Sequence, residues 1–93
     1  MIVTYKEYVE DKKAFFEKHE YNYLVETSPM DEYGVYYETY NFADGAQWYE
    51  RMSPEIVEEE LEVLKIKVVV EIKLFKTEFW STESGSKYYY ERF

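Results

Sequence analysis

Twenty carboxylates, one histidine and no cysteine are the groups with which this chain could do chemistry. Thiolate nucleophiles, thiolate zinc sites and disulfide frameworks are therefore closed to it. His19 falls at the C-terminal end of the first predicted helix, where a cation complements the helix dipole, and that structural role is expected of it in preference to general-base catalysis. Gly34, Gly45 and Gly85 stand apart from one another, so neither a P-loop nor a dinucleotide-binding turn can be built. With so many carboxylates some pair will stand at a glycosidase-like separation, which carries no information in a chain too short for a sugar cleft. Asp31, Glu32 and Asp44 lack the spacing of a calcium loop, and Glu58, Glu59 and Glu60 on a helix would point in different directions. No catalytic residue, cofactor or metal site is expected.

What remains is charge. The 93 residues hold 20 acids against 11 bases, a formal net charge of −9, with 46% hydrophobic and 22% aromatic residues. That composition is too apolar for a solvated acidic tail, and no apolar run approaches the roughly 18 residues of a membrane span. The acidity is uneven. Residues 1–18 balance four lysines against four acids, and residues 65–93 are slightly basic, whereas His19 to Leu64 holds twelve acids and a single base, Arg51. Direct binding to nucleic acid or to an anionic membrane is disfavoured by this charge, and a basic protein partner is favoured. The start, MIVTYKEY, lacks the basic and apolar regions of a signal peptide, so a cytoplasmic location is expected.

The elements that must present this charge can be read from periodicity. Thr4 and Glu7 have capping-box spacing, and Tyr5, Tyr8, Val9, Phe15 and Phe16 recur at helical intervals, which predicts a helix over 5–18 with Lys12 interrupting its stripe. Residues 21–27 alternate and predict a strand, ended by Ser28-Pro29. Residues 33–43 and 46–52 predict a hairpin about Asp44-Gly45. A two-residue turn there sets Tyr40 opposite Tyr49 and Glu38 opposite Arg51, although a helix over 45–52 is the alternative. Ser53-Pro54-Glu55 has the signature of a helix start, with Ile56, Val57, Leu61 and Leu64 on the buried side. Residues 65–80 predict a long strand whose parity reverses at Leu74-Phe75, so a β-bulge is expected there. A last strand over 87–93 follows a turn containing Gly85. The expected fold is α+β: one compact domain over residues 1–93, order α-β-β-β-α-β-β, an antiparallel sheet packed against one or two helices.

Acids interleaved with tyrosines across 19–64 give the expected contact region. It comprises Glu38, Asp44, Trp48, Tyr49 and Glu50 on the hairpin and Glu55, Glu58, Glu59 and Glu62 on the second helix. Carboxylates held on a rigid scaffold can replace phosphates in a groove lined by lysine and arginine, while tyrosines add stiff contact area. In length, charge, lack of cysteine and mixed α/β pattern, the chain resembles the small acidic inhibitors encoded by bacteriophages and mobile elements, the anti-CRISPR and anti-restriction proteins, some of which imitate DNA. The resemblance implies a non-enzymatic inhibitor that occludes the nucleic-acid-binding surface of a host defence nuclease, acting in the host cytoplasm. It implies a class only, and the basic 65–93 segment departs from an all-over DNA mimic. The alternative expectation is a homo-oligomeric accessory domain, a homodimer pairing through the strand over 65–80 and the terminal strand 87–93.

Overall fold

The computed structural model describes residues 2–61 and 66–92, with side chains placed for 2–54 and 77–89. Helix α1 spans Tyr5–Lys18, with the Thr4 hydroxyl accepting the Glu7 N–H at 3.1 Å. The predicted cap and bounds are thus found. Tyr8, Phe15 and Phe16 are buried, while Tyr5 and Val9 of the same predicted stripe stay exposed. His19 closes the helix by returning its N–H to Phe15, and positive φ at Glu20 and Tyr21 turns the chain into the sheet.

Five strands follow: β1 Tyr23–Thr27, β2 Tyr36–Phe42, β3 Gln47–Leu61, β4 Ile66–Ser81 and β5 Lys87–Arg92. They form one antiparallel sheet in the order β1-β2-β3-β4-β5, each strand beside its neighbour in sequence. α1 lies on one face. Phe15 and Phe16 meet Phe42 and Trp48 there, and Tyr8 stacks on Tyr89 at a centroid separation of 4.4 Å. Among the described residues, Val3, Phe79 and these rings make a core that is almost wholly aromatic. Tilted and edge-to-face contacts of this kind contribute about 0.5–1.5 kcal/mol per pair beyond area burial.

The hairpin register differs from expectation by one residue. Tyr40 pairs with Trp48, Tyr37 with Arg51 and Glu38 with Glu50, because the loop has three residues, Ala43 to Gly45. Phe42 N–H donates to Ala46 O at 2.9 Å and Gly45 takes φ +94, the left-handed position that closes a three-residue hairpin loop. A slip of one residue exchanges the faces of the whole strand, and here it sends Trp48 and Glu50 to the helix side.

The expected second helix is replaced by strand as far as it is described, so the element order is α-β-β-β-β-β. β3 runs unbroken from Gln47 to Leu61, and residues 62–64, Glu62 and Leu64 included, lie outside the described residues. The local start signature is overridden by pairing with β4, where Ile66, Val68, Val69 and Val70 strongly favour strand. Pro54 fits because even residues of β3 direct their backbone groups towards β2, and β2 ends at the Tyr36–Met52 pair. The missing N–H therefore faces a vacant edge, where proline is tolerated. The turn before β2 packs there: a Cβ on Gly34 would stand 3.0 Å from Pro54 Cγ. The β-bulge is present close to its expected position, with register shifts between Glu55 and Ile56 and again between Val57 and Glu58 that leave Lys73 and Val70 of β4 unpaired. Two shifts restore the parity that one would reverse.

Beyond Pro54, β3 and β4 continue as a two-stranded ribbon, because β5 reaches only as far as the Leu74–Arg92 pair. A 15-residue strand extends about 50 Å. This ribbon accounts for overall extents of 58 × 26 × 20 Å around a compact helix-covered body.

Candidate functional site

The predicted contact residues are distributed over both faces of the sheet and its edges. Trp48 and Glu50 are 2% and 1% exposed, which corrects their assignment to a contact surface. Glu50 accepts from the Tyr8 hydroxyl and from Trp48 Nε1 at 3.1 Å, and pairs with Lys12 Nζ at 3.2 Å. Lys12 lies over the rings of Tyr8, Phe16 and Tyr40, 4.8 Å from the Tyr40 centroid. It interrupts the apolar stripe of α1 because the core holds a carboxylate for it. Burial, then the charge of Glu50, pushes the Tyr8 hydroxyl far above the ordinary tyrosine range, so it stays a proton donor to that carboxylate. Glu38 sits across from Glu50 in the ladder and accepts from Tyr40 at 2.6 Å. Burial and that bond push Tyr40 upward in the same way.

Asp44 is exposed at the hairpin tip, and it is tied to the helix. His19 Nδ1 lies 2.5 Å from Asp44 Oδ2 and His19 Nε2 lies 3.4 Å from Glu83 Oε1, while Lys18 Nζ reaches Glu83 at 2.9 Å. The His19 bond to Asp44 thus ties the end of α1 to the β2–β3 turn, and the Lys18–Glu83 pair ties it to the β4–β5 turn, with His19 Nε2 beside Glu83 but not hydrogen-bonded. The bond from His19, then that from the Ala46 N–H, holds the Asp44 carboxyl below the usual range; Lys18 does the same for Glu83. The ring makes contacts of a structural clasp.

The face away from α1 carries Tyr49, stacked on Trp80 at 5.2 Å and 17°, with Arg51 Nε 3.3 Å from the Tyr37 hydroxyl and Gln47 donating to Asn41 at 2.7 Å. Among the predicted residues whose side chains are described, Tyr49 is the one on this face. Glu55, Glu58 and Glu59 fall on the ribbon segment of β3, whose outer edge pairs with no strand among the described residues; Glu60 stands opposite Lys67 in the register. The β1–β2 turn on the same side adds exposed Asp31 and Glu32. β4, across the ribbon, contributes Lys67, Glu71 and Lys73. The glutamates at the end of the acidic block thus fall on one strand of the ribbon, and the slightly basic segment supplies the other.

No group of three or more histidine or carboxylate side chains that could hold a metal ion occurs among the described residues. No helix among them is long and apolar enough to cross a membrane. The chain matches no protein-family model, no curated protein and no solved structure. Sequence reasoning missed the Tyr8–Lys12–Glu50 cluster, whose signal was a lysine at i+4 from a tyrosine on an otherwise apolar helix face.

Proposed function

We propose that this is a non-enzymatic binding protein whose acidic β3 edge covers a basic, nucleic-acid-binding surface of a partner protein. The observation that carries the reading is the ribbon segment of β3, where Glu55, Glu58, Glu59 and Glu60 line a strand with an open backbone edge next to Asp31 and Glu32. Such an edge offers a basic surface main-chain hydrogen-bonding groups on a strand in which four of the six residues 55–60 are glutamate. Its specific form, by the resemblance to phage-encoded inhibitors, is occlusion of a defence nuclease complex of the CRISPR-Cas or restriction type.

The test is affinity capture from the host cell, with the wild-type chain and an E55K/E58K/E59K variant as baits. The expected partner is displaced from the wild type by duplex DNA or by RNA, is released as ionic strength rises, and is not retained by the variant. Equal retention by both baits would overturn the reading.

A further inference from the structure

The outer edge of β1, on the same side of the sheet as the open edge of the β3 ribbon but displaced from it along the strands, has a different character. β1 is the outermost strand, all five of its residues are exposed, and Leu24 and Val25 are 79% and 47% exposed. Asn22 accepts from the Ala43 N–H and Ser28 donates to Tyr37, so the even residues of β1 face β2. In an antiparallel ladder the backbone groups of Tyr23, Val25 and Thr27 then point outward. No strand pairs with them among the described residues. Monomeric proteins guard such edges with lysine, proline or a bulge. β1 has a regular register and none of the three; its single charge is Glu26. The edge of β5, by contrast, is partly covered by the chain's own start: Ile2 bridges Tyr88, and the Val3 N–H donates to Tyr88 O.

Beside β1 runs a groove of about 420 Å³, walled on one side by Val9, Lys12 and Lys13 of α1 and on the other by Tyr21 and Tyr23. Val25 lies on the same, helix-facing side of β1 as Tyr23, whose ring meets Phe16 at 5.0 Å.

We infer that β1 is a dimerisation edge, paired antiparallel with β1 of a second copy about a two-fold axis through Val25. That register sets Tyr23 opposite Thr27 and Leu24 opposite Glu26, so no like charges meet. It uses all outward backbone groups, about six main-chain hydrogen bonds, and gives one continuous ten-stranded sheet. The two grooves face each other across the axis, and each copy's Tyr23 and Val25 help to close the other's. Tyr21, Tyr23, Leu24, Val25 and Val9 offer on the order of 400–500 Å² of apolar surface per copy, the low end for a specific interface, so the dimer forms in a concentration-dependent equilibrium. The ribbon segment of β3 begins past the end of β2 and is displaced along the strands from this axis, since Val25 stands level with Tyr40 and Trp48.

Sedimentation equilibrium with the full chain tests the inference. The wild type is expected to pass from 11.4 kDa to twice that mass as concentration rises, and to associate more strongly at high salt, where screening relieves the repulsion between two anionic chains. Val25→Lys sets like charges on the axis, and Val25→Pro removes an N–H that no intramolecular bond uses; both are expected to stay monomeric with unchanged circular dichroism. A wild type that remains monomeric up to millimolar concentration overturns the inference, including the case in which it instead binds an extended peptide of a partner. Variants that still dimerise also overturn it. The salt dependence is opposite in sign to that expected of the acidic edge, so the two proposals fail independently.

Discussion

At Glu50 two hydrogen-bond donors and an ammonium, drawn from α1 and β3, converge on one buried carboxylate. Truncating it strands all three. Glu50→Ala is expected to lower stability by about 3 kcal/mol in urea unfolding, the low end for breaking a buried pair because Lys12 keeps some contact with water. Tyr8→Phe, which removes one donor, is expected to cost about 1–2 kcal/mol. If both variants unfold like the wild type, the cluster contributes no stability. The His19 clasp makes a second residue-scale prediction. Asp44 and Glu83 have folded-state pKa values below those of the unfolded chain, so the unfolded state binds more protons as pH falls through the carboxylate range. Their stabilisation is present above the ordinary carboxylate values and is lost as pH drops through the lowered ones. The urea midpoint should therefore fall on acidification from about pH 5 to pH 3, less steeply in Asp44→Asn and Glu83→Gln. Slopes identical to wild type would remove the clasp from the account. The sequence placed His19 correctly at a helix end, but its two carboxylate partners are 25 and 64 residues distant and no local pattern announces them.

Among the elements, α1 was legible to the residue because its cap and its apolar spacing are both local. The hairpin about Asp44-Gly45 was legible as a hairpin, yet its loop length was not, and that single residue decides which side of β3 faces the core. The aromatic alternation Tyr40, Phe42, Trp48 was the available signal for the observed face. Residues 53–61 were read as helix because Ser-Pro-Glu is a strong local start, whereas the strand that overrides it depends on partners up to 23 residues away. Two glycines test how the loops fix the sheet. Gly34 has φ +80 and a neighbour at 3.0 Å, while Gly45 has φ +94 with open space around it. Gly45→Ala should cost about 1–2 kcal/mol through backbone conformation alone, and Gly34→Ala more, since the Pro54 ring must also shift. Equal urea midpoints for the two variants would mean that the Pro54 contact is not a constraint.

At the scale of the whole molecule, the chain sorts its charge by topology. A sheet whose strands lie in sequence order converts position along the chain into position across the sheet, so the glutamate-rich end of the acidic block, on β3, and the slightly basic segment, on β4, become the two strands of one ribbon. The sequence carried that segregation, and only the topology says that it runs from strand to strand. The ribbon also sets the shape: a Cα radius of gyration of 16.6 Å compares with about 12 Å for a sphere-like chain of this length. Small-angle scattering on monomeric Val25→Lys should return a value near the larger figure, and one near the smaller would place the ribbon against the body. The alternation that separates the faces has a practical result as well. Trp48 and Trp80, the chain's two tryptophans, sit on adjacent strands and opposite faces, one sealed against Phe79 and the other stacked on Tyr49. The protein thus contains its own pair of fluorophores. With one removed at a time, Trp48 emission reports loosening of the interior, and quenching of Trp80 reports whatever comes to rest on the open side.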